Sequence, residues 1–199
     1  MNYIDLININ VYLSNILLIP SIVLIYLIYH NSLKFENSIY QQEYSLYWFI
    51  IFIIFSIGFI LSSIHHFFMF SDYSILKKIG KIDSKISAPI LSIILIFLNF
   101  IYLNFSLSDC PSSNVYATIP IFIIAVTLLL IGGFVFIIKK IAMKTNKCIT
   151  NDNTCCYLSA HTFFHYTAYT GALLTFLLFY NENKNIYKYV FQNEYCSNS

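Results

Sequence analysis

The sequence contains no arginine and few charged residues of any kind. Only 10% of its residues are Asp, Glu, Lys or Arg, whereas a soluble domain carries about 25%. Hydrophobic residues make up 58% of the chain, and the mean hydropathy is +0.70. This composition excludes a soluble fold with a large core and predicts an integral membrane protein. The 199 residues leave room for one membrane domain, which we take as 1–199.

Several other features are missing from the chain. It has no basic arm and no patch of alternating aromatic and basic residues, so nucleic acid is not an expected partner. Its apolar runs do not alternate with period two as barrel strands do, which favours helices. The first run follows no basic segment and precedes no cleavage pattern, so we interpret it as a retained span and not a signal peptide. No retention or lipidation motif is found that would indicate the organelle, which stays open. The oligomeric state is open as well.

The remaining feature is a series of long apolar runs. A membrane helix needs about 20 mostly apolar residues. Five runs meet this length and predict an all-α, polytopic bundle; they are approximately 11–29, 46–70, 86–107, 115–138 and 157–180.

The lysines predict the orientation of these spans. Eight of the eleven basic residues lie in two connections, 71–85 and 139–154. Five spans place both connections on the same side of the membrane, and by the positive-inside rule that side is cytoplasmic. The N-terminus is then cytoplasmic and the C-terminus lies outside.

Four ionisable side chains fall at the cytoplasmic ends of three spans. His66 ends the second span, Asp83 precedes the third, and His161 and His165 begin the fifth. Ionisable groups at membrane depth are costly and usually mark a functional site. Because all four lie at one depth on one side, we expect them to form a single site.

The helical phase of these residues agrees with this interpretation. His161 and His165 are four residues apart and share a helix face, and Ser62 stands four residues before His66 on another. Three imidazoles with an open position are typical of catalytic zinc, which lowers the pKa of its bound water to about 7. We therefore predict zinc bound by His66, His161 and His165. Asp83 would accept the proton of the bound water, the nucleophile, and Ser62 would orient Asp83 or a ligand.

The motifs Ser62-Ser63-Ile64-His65-His66 and His161-Thr162-Phe163-Phe164-His165, with an aspartate opening the third span, resemble the CREST superfamily. This superfamily includes alkaline ceramidases, progestin/adiponectin receptors, Per1-type proteins and myomaker. The local pattern, an apolar stretch that runs into His-His and then a short polar loop, is most similar to the myomaker-like branch. The resemblance covers spans one to three and the last span. It implies the same zinc ligands and hydrolysis of a lipid amide or ester. Members of the superfamily have seven spans, two more than are counted here.

Three functions are weighed. The first is a zinc-dependent intramembrane hydrolase of a membrane lipid. The second is a non-enzymatic protein, receptor-like or membrane-remodelling, with a structural zinc. The third is a haem protein with histidine axial ligands, which we rank last because one helix offers two histidines at consecutive turns.

Individual residues also have plainer interpretations. Asp83 could cap its helix, and Ser62 could be only a small packing residue. Cys110 and Cys196 are predicted outside the cell or in a lumen, as a disulfide or as two free thiols. The other cysteines, Cys148, Cys155 and Cys156, are predicted in the cytoplasmic connection, free or palmitoylated.

Overall fold

The computed structural model describes residues 13–35, 39–67, 78, 82–108, 115–145 and 153–192 of the chain. Within these ranges only the backbone is described at 67, 83, 84, 115, 139–145, 153–161 and 192. The predictions for Cys110, Cys148 and Cys196 lie outside the described residues, and the side chains of Cys155 and Cys156 do as well.

The described part of the chain is helical and contains no strand, which confirms the all-α fold class. Six α-helices are labelled within the described ranges: α1 (Leu18–Ser32), α2 (Ile39–Phe67), α3 (Ala88–Ser106), α4 (Val115–Thr145), α5 (Asn153–Asn181) and the short α6 (Asn183–Tyr187). A π-helical segment, Asp83–Ser87, leads into α3, and a second, Lys188–Gln192, follows α6.

Four of these helices are long and apolar enough to cross a membrane, which is what a multi-pass membrane protein requires. The apolar segments are Leu13–Ser32, Ile39–His66, Lys85–Ser106 and Tyr116–Ile138. They correspond to the first four predicted spans. The second begins about two turns before the predicted 46, because Gln41 and Ser45 are polar but buried inside the helix pair.

The N-terminal turn of the first span is tightened by Pro20. Proline has no amide hydrogen, so the carbonyl of Ile16 cannot receive the usual helical bond from position 20. It accepts instead from the amide of Ile19 at 2.9 Å, one of three bonds of the i to i+3 type between residues 13 and 19. This irregular turn carries Ser14 and Asn15, both buried, into the bundle.

The fifth predicted span corresponds to α5, which is long enough to cross a membrane but is not one of the four apolar segments. It carries threonine, tyrosine and histidine along its length. The helix packs against α1, α3, α4 and α6, and a helix surrounded by protein need not be apolar all round, since its polar groups can meet partners on neighbouring helices.

Edge-to-face aromatic contacts join α2 to α5. Trp48 packs against Phe179 at 5.4 Å between ring centroids, and Phe55 packs against Phe176 at 5.0 Å. All four side chains are at most 1% exposed. Such pairs contribute about 0.5–1.5 kcal/mol each beyond the burial of their area, so these large side chains bridge the two helices.

Helix α4 packs against α5 through close backbone contact. A Cβ atom placed on Gly171 would lie 2.8 Å from Cγ of Leu129 and 3.0 Å from the backbone oxygen of Ala125. Only glycine permits this approach. Because α4 runs without a break from Val115 to Thr145, it does not conceal the two extra helices that a seven-span chain would need.

Candidate metal centre

His66 lies in the last turn of α2 and is 7% exposed. Its Nδ1 is 2.6 Å from the backbone oxygen of Ser62 and 3.1 Å from Oγ of the same residue. A carbonyl oxygen only accepts, so Nδ1 carries the proton in this bond. In a neutral imidazole the lone pair then resides on Nε2, which is the form that binds a metal ion. The serine four residues earlier therefore fixes both the ring orientation and the tautomer of His66.

His165 lies on α5 and is 2% exposed. Its Nδ1 is 3.0 Å from Oγ of Ser14, which the irregular turn before α1 carries into the bundle. Each of the two imidazoles is thus held at Nδ1 by a serine, one serine on its own helix and one on a neighbouring helix. Metal-binding histidines are commonly held in this way by a partner on the other ring nitrogen.

The two rings meet between α2 and α5. Their centroids are 4.5 Å apart, and the planes make an angle of 76°. Two imidazoles that share a tetrahedral zinc place their centroids about 5 Å apart, since each Zn–N bond measures about 2.0–2.1 Å. The observed centroid distance is about half an ångström shorter than that spacing. Imidazole is a donor type that zinc accepts.

Asn15, in the turn before α1, connects the first span to α2 and α5. Its Oδ1 accepts hydrogen bonds from Oγ of Ser62 at 2.9 Å and from the hydroxyl of Tyr169 at 3.1 Å, and its Nδ2 donates to Oγ of Ser63 at 2.8 Å. The side chain is 1% exposed. A buried amide with all these bonds satisfied fixes the positions of its partners, so Asn15 orients the hydroxyl of Ser62, which lies 3.1 Å from Nδ1 of His66.

We call this group the histidine cluster; its members are Ser14, Asn15, Ser62, Ser63, His66, His165 and Tyr169. Aromatic contacts border it. The ring of Tyr169 lies 4.8 Å from that of His165, and the ring of His65 lies 4.9 Å from that of His66. His65 is half-buried and borders the cluster from its rim.

The structure brings together three of the five predicted site residues, Ser62, His66 and His165. The side chains of His161 and Asp83 lie outside the described residues, and their roles stay predictions. Among the side chains that are described, no group of three potential metal ligands is found. The backbone at Asp83 begins the π-helical segment that packs against α2 and α3.

The sequence analysis assigned no role to Ser14, Asn15 or Tyr169. The available signal was the pair of adjacent polar residues inside the first apolar run, because polar groups at membrane depth usually face the interior of the bundle. The direction in which the i to i+3 turn points these two side chains depends on how the first span packs against the other helices. A hydropathy pattern does not contain it.

No protein-family model matches the chain, and neither does any curated protein or solved structure.

Proposed function

We propose that this chain is a zinc-dependent intramembrane hydrolase that cleaves a lipid amide or ester. The observation that carries the proposal is the contact of His66 with His165, 4.5 Å between ring centroids, with each Nδ1 held by a serine. Two buried imidazoles from different helices have no packing advantage over apolar rings. A hydrogen-bond partner on Nδ1 of each imidazole is a feature that a metal site requires, and it supports the proposal.

In this proposal, His66 and His165 would hold zinc, and His161 would supply the third imidazole from the preceding turn of α5. A zinc ion held there would supply Lewis acidity toward water and a carbonyl group. Ser62 orients the ring of His66 through the bonds at Nδ1, and Ser14 does the same for His165 by accepting the Nδ1 proton. The carboxylate of Asp83 would take the proton of the attacking water and pass it to the nitrogen or oxygen of the leaving group as the amide or ester bond breaks.

The substrate class follows from the surface around the cluster. Large apolar side chains near it point outward, among them Ile16, Ile60 and Phe163, which are 43%, 54% and 50% exposed. The polar cluster lies between helices whose outer faces are apolar, so in this proposal a substrate would come from the bilayer. A lipid with an amide or ester near its headgroup meets that condition.

The membrane arrangement is part of the proposal. We infer that α5 is a fifth span and that the N-terminus is cytoplasmic, which places the histidine cluster at the inner leaflet. The lysine distribution supports the orientation, and the length of α5 together with its burial by the other helices supports the fifth span.

A second candidate function is a non-enzymatic membrane protein in which the metal is structural. The bonds of Asn15 favour it, because they already join α2 and α5 to the first span and give the cluster a role in stability. The resemblance to the CREST superfamily is compatible with either function.

The test is metal analysis of the purified full chain, together with turnover of a ceramide-like amide and an acyl ester. We expect about one zinc per chain in the wild type and its loss in His66→Ala and His165→Ala. His30→Ala is the matched control, because His30 is exposed at the opposite end of α1 and stacks on Tyr26 at 6.2 Å.

The possible outcomes separate the two candidates. Zinc with lipid turnover, both lost in the two cluster variants, supports the hydrolase. Zinc without turnover supports the structural role. A wild-type protein with no zinc, or with zinc retained in both cluster variants, overturns both. Recovery of His165→Asn as a monodisperse, helical protein would show that loss of metal is not loss of fold.

A further inference from the structure

The three lysines outside the two cytoplasmic connections converge on one cavity. Lys34 follows α1, Lys184 lies in α6, and Lys188 begins the last π-helical segment. All three line a cavity of about 510 Å³. It lies at the end of α1 and α5 opposite the histidine cluster. Lysines on the predicted outer side of a membrane protein run against the usual charge bias. Three of them around one cavity therefore indicate that their charge has a function at that place.

Aromatic rings form the remaining walls of this cavity, which we call the lysine cavity. Phe35, Tyr180 and Tyr187 line it together with the lysines. The rings of Phe35 and Tyr187 are in contact, with centroids 5.1 Å apart. Tyrosine beside lysine is typical of the level at which lipid headgroups lie, where an apolar ring and a polar tip are both accommodated.

The frame of the lysine cavity is fixed by hydrogen bonds. The amide of Lys34 donates to the carbonyl of Asn31 at 3.1 Å, which closes the turn after α1. On the other side, Asn183 accepts from the hydroxyl of Tyr44 at 2.7 Å through Oδ1 and donates to the carbonyl of Ile28 at 3.2 Å through Nδ2. The cavity therefore has a defined shape before any ligand enters.

The described lining of the lysine cavity carries positive charge and no acidic side chain. Glu182 is close in sequence to Lys184, but it is 1% exposed, accepts a hydrogen bond from Asn185 at 2.8 Å and does not line the cavity. No acidic side chain is found among the described residues that line it. Three ammonium groups around one concave space create a positive potential that attracts an anion.

We propose that the lysine cavity binds the phosphate of an anionic lipid headgroup on the outer side of the membrane. Lysine is a common phosphate ligand as a point charge, and the aromatic walls suit the glycerol and upper acyl region. Inorganic phosphate offers the same charged group without the lipid. The inference concerns other residues at the other end of the bundle, and it rests on the proposed function only for the orientation that puts this end on the outer side.

The test uses the purified full chain in a neutral detergent, with bound ligand counted by native mass spectrometry. The probes are short-chain phosphatidylglycerol, short-chain phosphatidylcholine and inorganic phosphate. We expect phosphatidylglycerol to bind most tightly and to weaken as salt rises. Lys34→Gln, Lys184→Gln and Lys188→Gln should each weaken it about fivefold, from the usual contribution of one lysine at a membrane surface. Lys184→Arg should retain the binding.

The matched control is Lys78→Gln, which removes the same charge from an exposed residue outside the cavity. It should leave phosphatidylglycerol binding unchanged. Equal binding of phosphatidylcholine, or equal weakening by Lys78→Gln, would overturn the proposal. Inorganic phosphate that binds as tightly as phosphatidylglycerol would overturn the lipid as ligand. Zinc content should not change in any lysine variant, so this outcome is separate from that of the metal experiment.

Discussion

Replacing Asn15 with leucine should loosen the helix bundle and the metal centre together. The side chain makes three hydrogen bonds, to Ser62, Ser63 and Tyr169, and all of them cross from the first span to α2 or α5. Leucine has a similar volume, so the change removes the bonds without leaving a large cavity.

The magnitude follows from the number of bonds. Hydrogen bonds between membrane helices average about 0.6 kcal/mol, so the loss of three should lower the free energy of unfolding by about 2 kcal/mol. The serine hydroxyls can turn to carbonyls of their own helix, which keeps the cost from rising much further. Zinc affinity should also fall about tenfold, the lower end of the effect expected when a partner of a metal ligand is misplaced.

The assay is reversible unfolding in mixed micelles, followed by helicity, with zinc affinity measured on the same preparation. Asn104→Leu is the matched control. Asn104 is also a helical asparagine, but it is exposed and donates only to the carbonyl of Phe100 on its own helix at 2.7 Å. Its replacement should change stability by less than about 0.5 kcal/mol. Equal losses in the two variants would refute the role assigned to Asn15.

Three further predictions concern packing, topology and the metal. Gly171→Ala should destabilise the protein by about 1–3 kcal/mol in the same unfolding assay, because the new Cβ would lie 2.8 Å from Cγ of Leu129 on α4. Gly133→Ala is the control and should be close to neutral, because no atom lies within 4 Å of its Cβ position. In a background without native cysteines, Ser108→Cys should react with an impermeant maleimide from outside and Lys78→Cys only after permeabilisation; the reverse pattern would contradict the orientation. A strong zinc chelator should lower the thermal midpoint of the wild type and leave that of His165→Ala unchanged, and equal effects would argue against the cluster as the zinc site.

The sequence predicted the helices well where membrane physics alone decides. Long apolar runs must be helical in lipid, because every backbone polar group has to be bonded within its segment. The run from 115 to 138 became part of a continuous helix for this reason. The early start of α2 could not be predicted, since Gln41 and Ser45 look like loop residues. They are buried because both bond to Ser32 at the end of α1.

Some residues of the candidate site could likewise be predicted from the sequence, and others could not. His66 and His165 could be chosen from the sequence, because the order of the spans predicts both at one membrane depth. In addition, each shares a helix face with a polar residue four positions earlier. The roles of Ser14 and Asn15 could not, since they depend on the turn before α1 and on which face of that turn meets α2 and α5. Lys34 lies far in sequence from Lys184 and Lys188, and only the fold brings it to them.

X-ray absorption at the zinc edge tests the central claim most directly. The account predicts a first shell of nitrogen at about 2.0–2.1 Å, with outer-shell scattering from the imidazoles of His66 and His165 that weakens in His66→Ala and in His165→Ala. A spectrum of oxygen or sulfur ligands alone, or one that is unchanged in both variants, would contradict it.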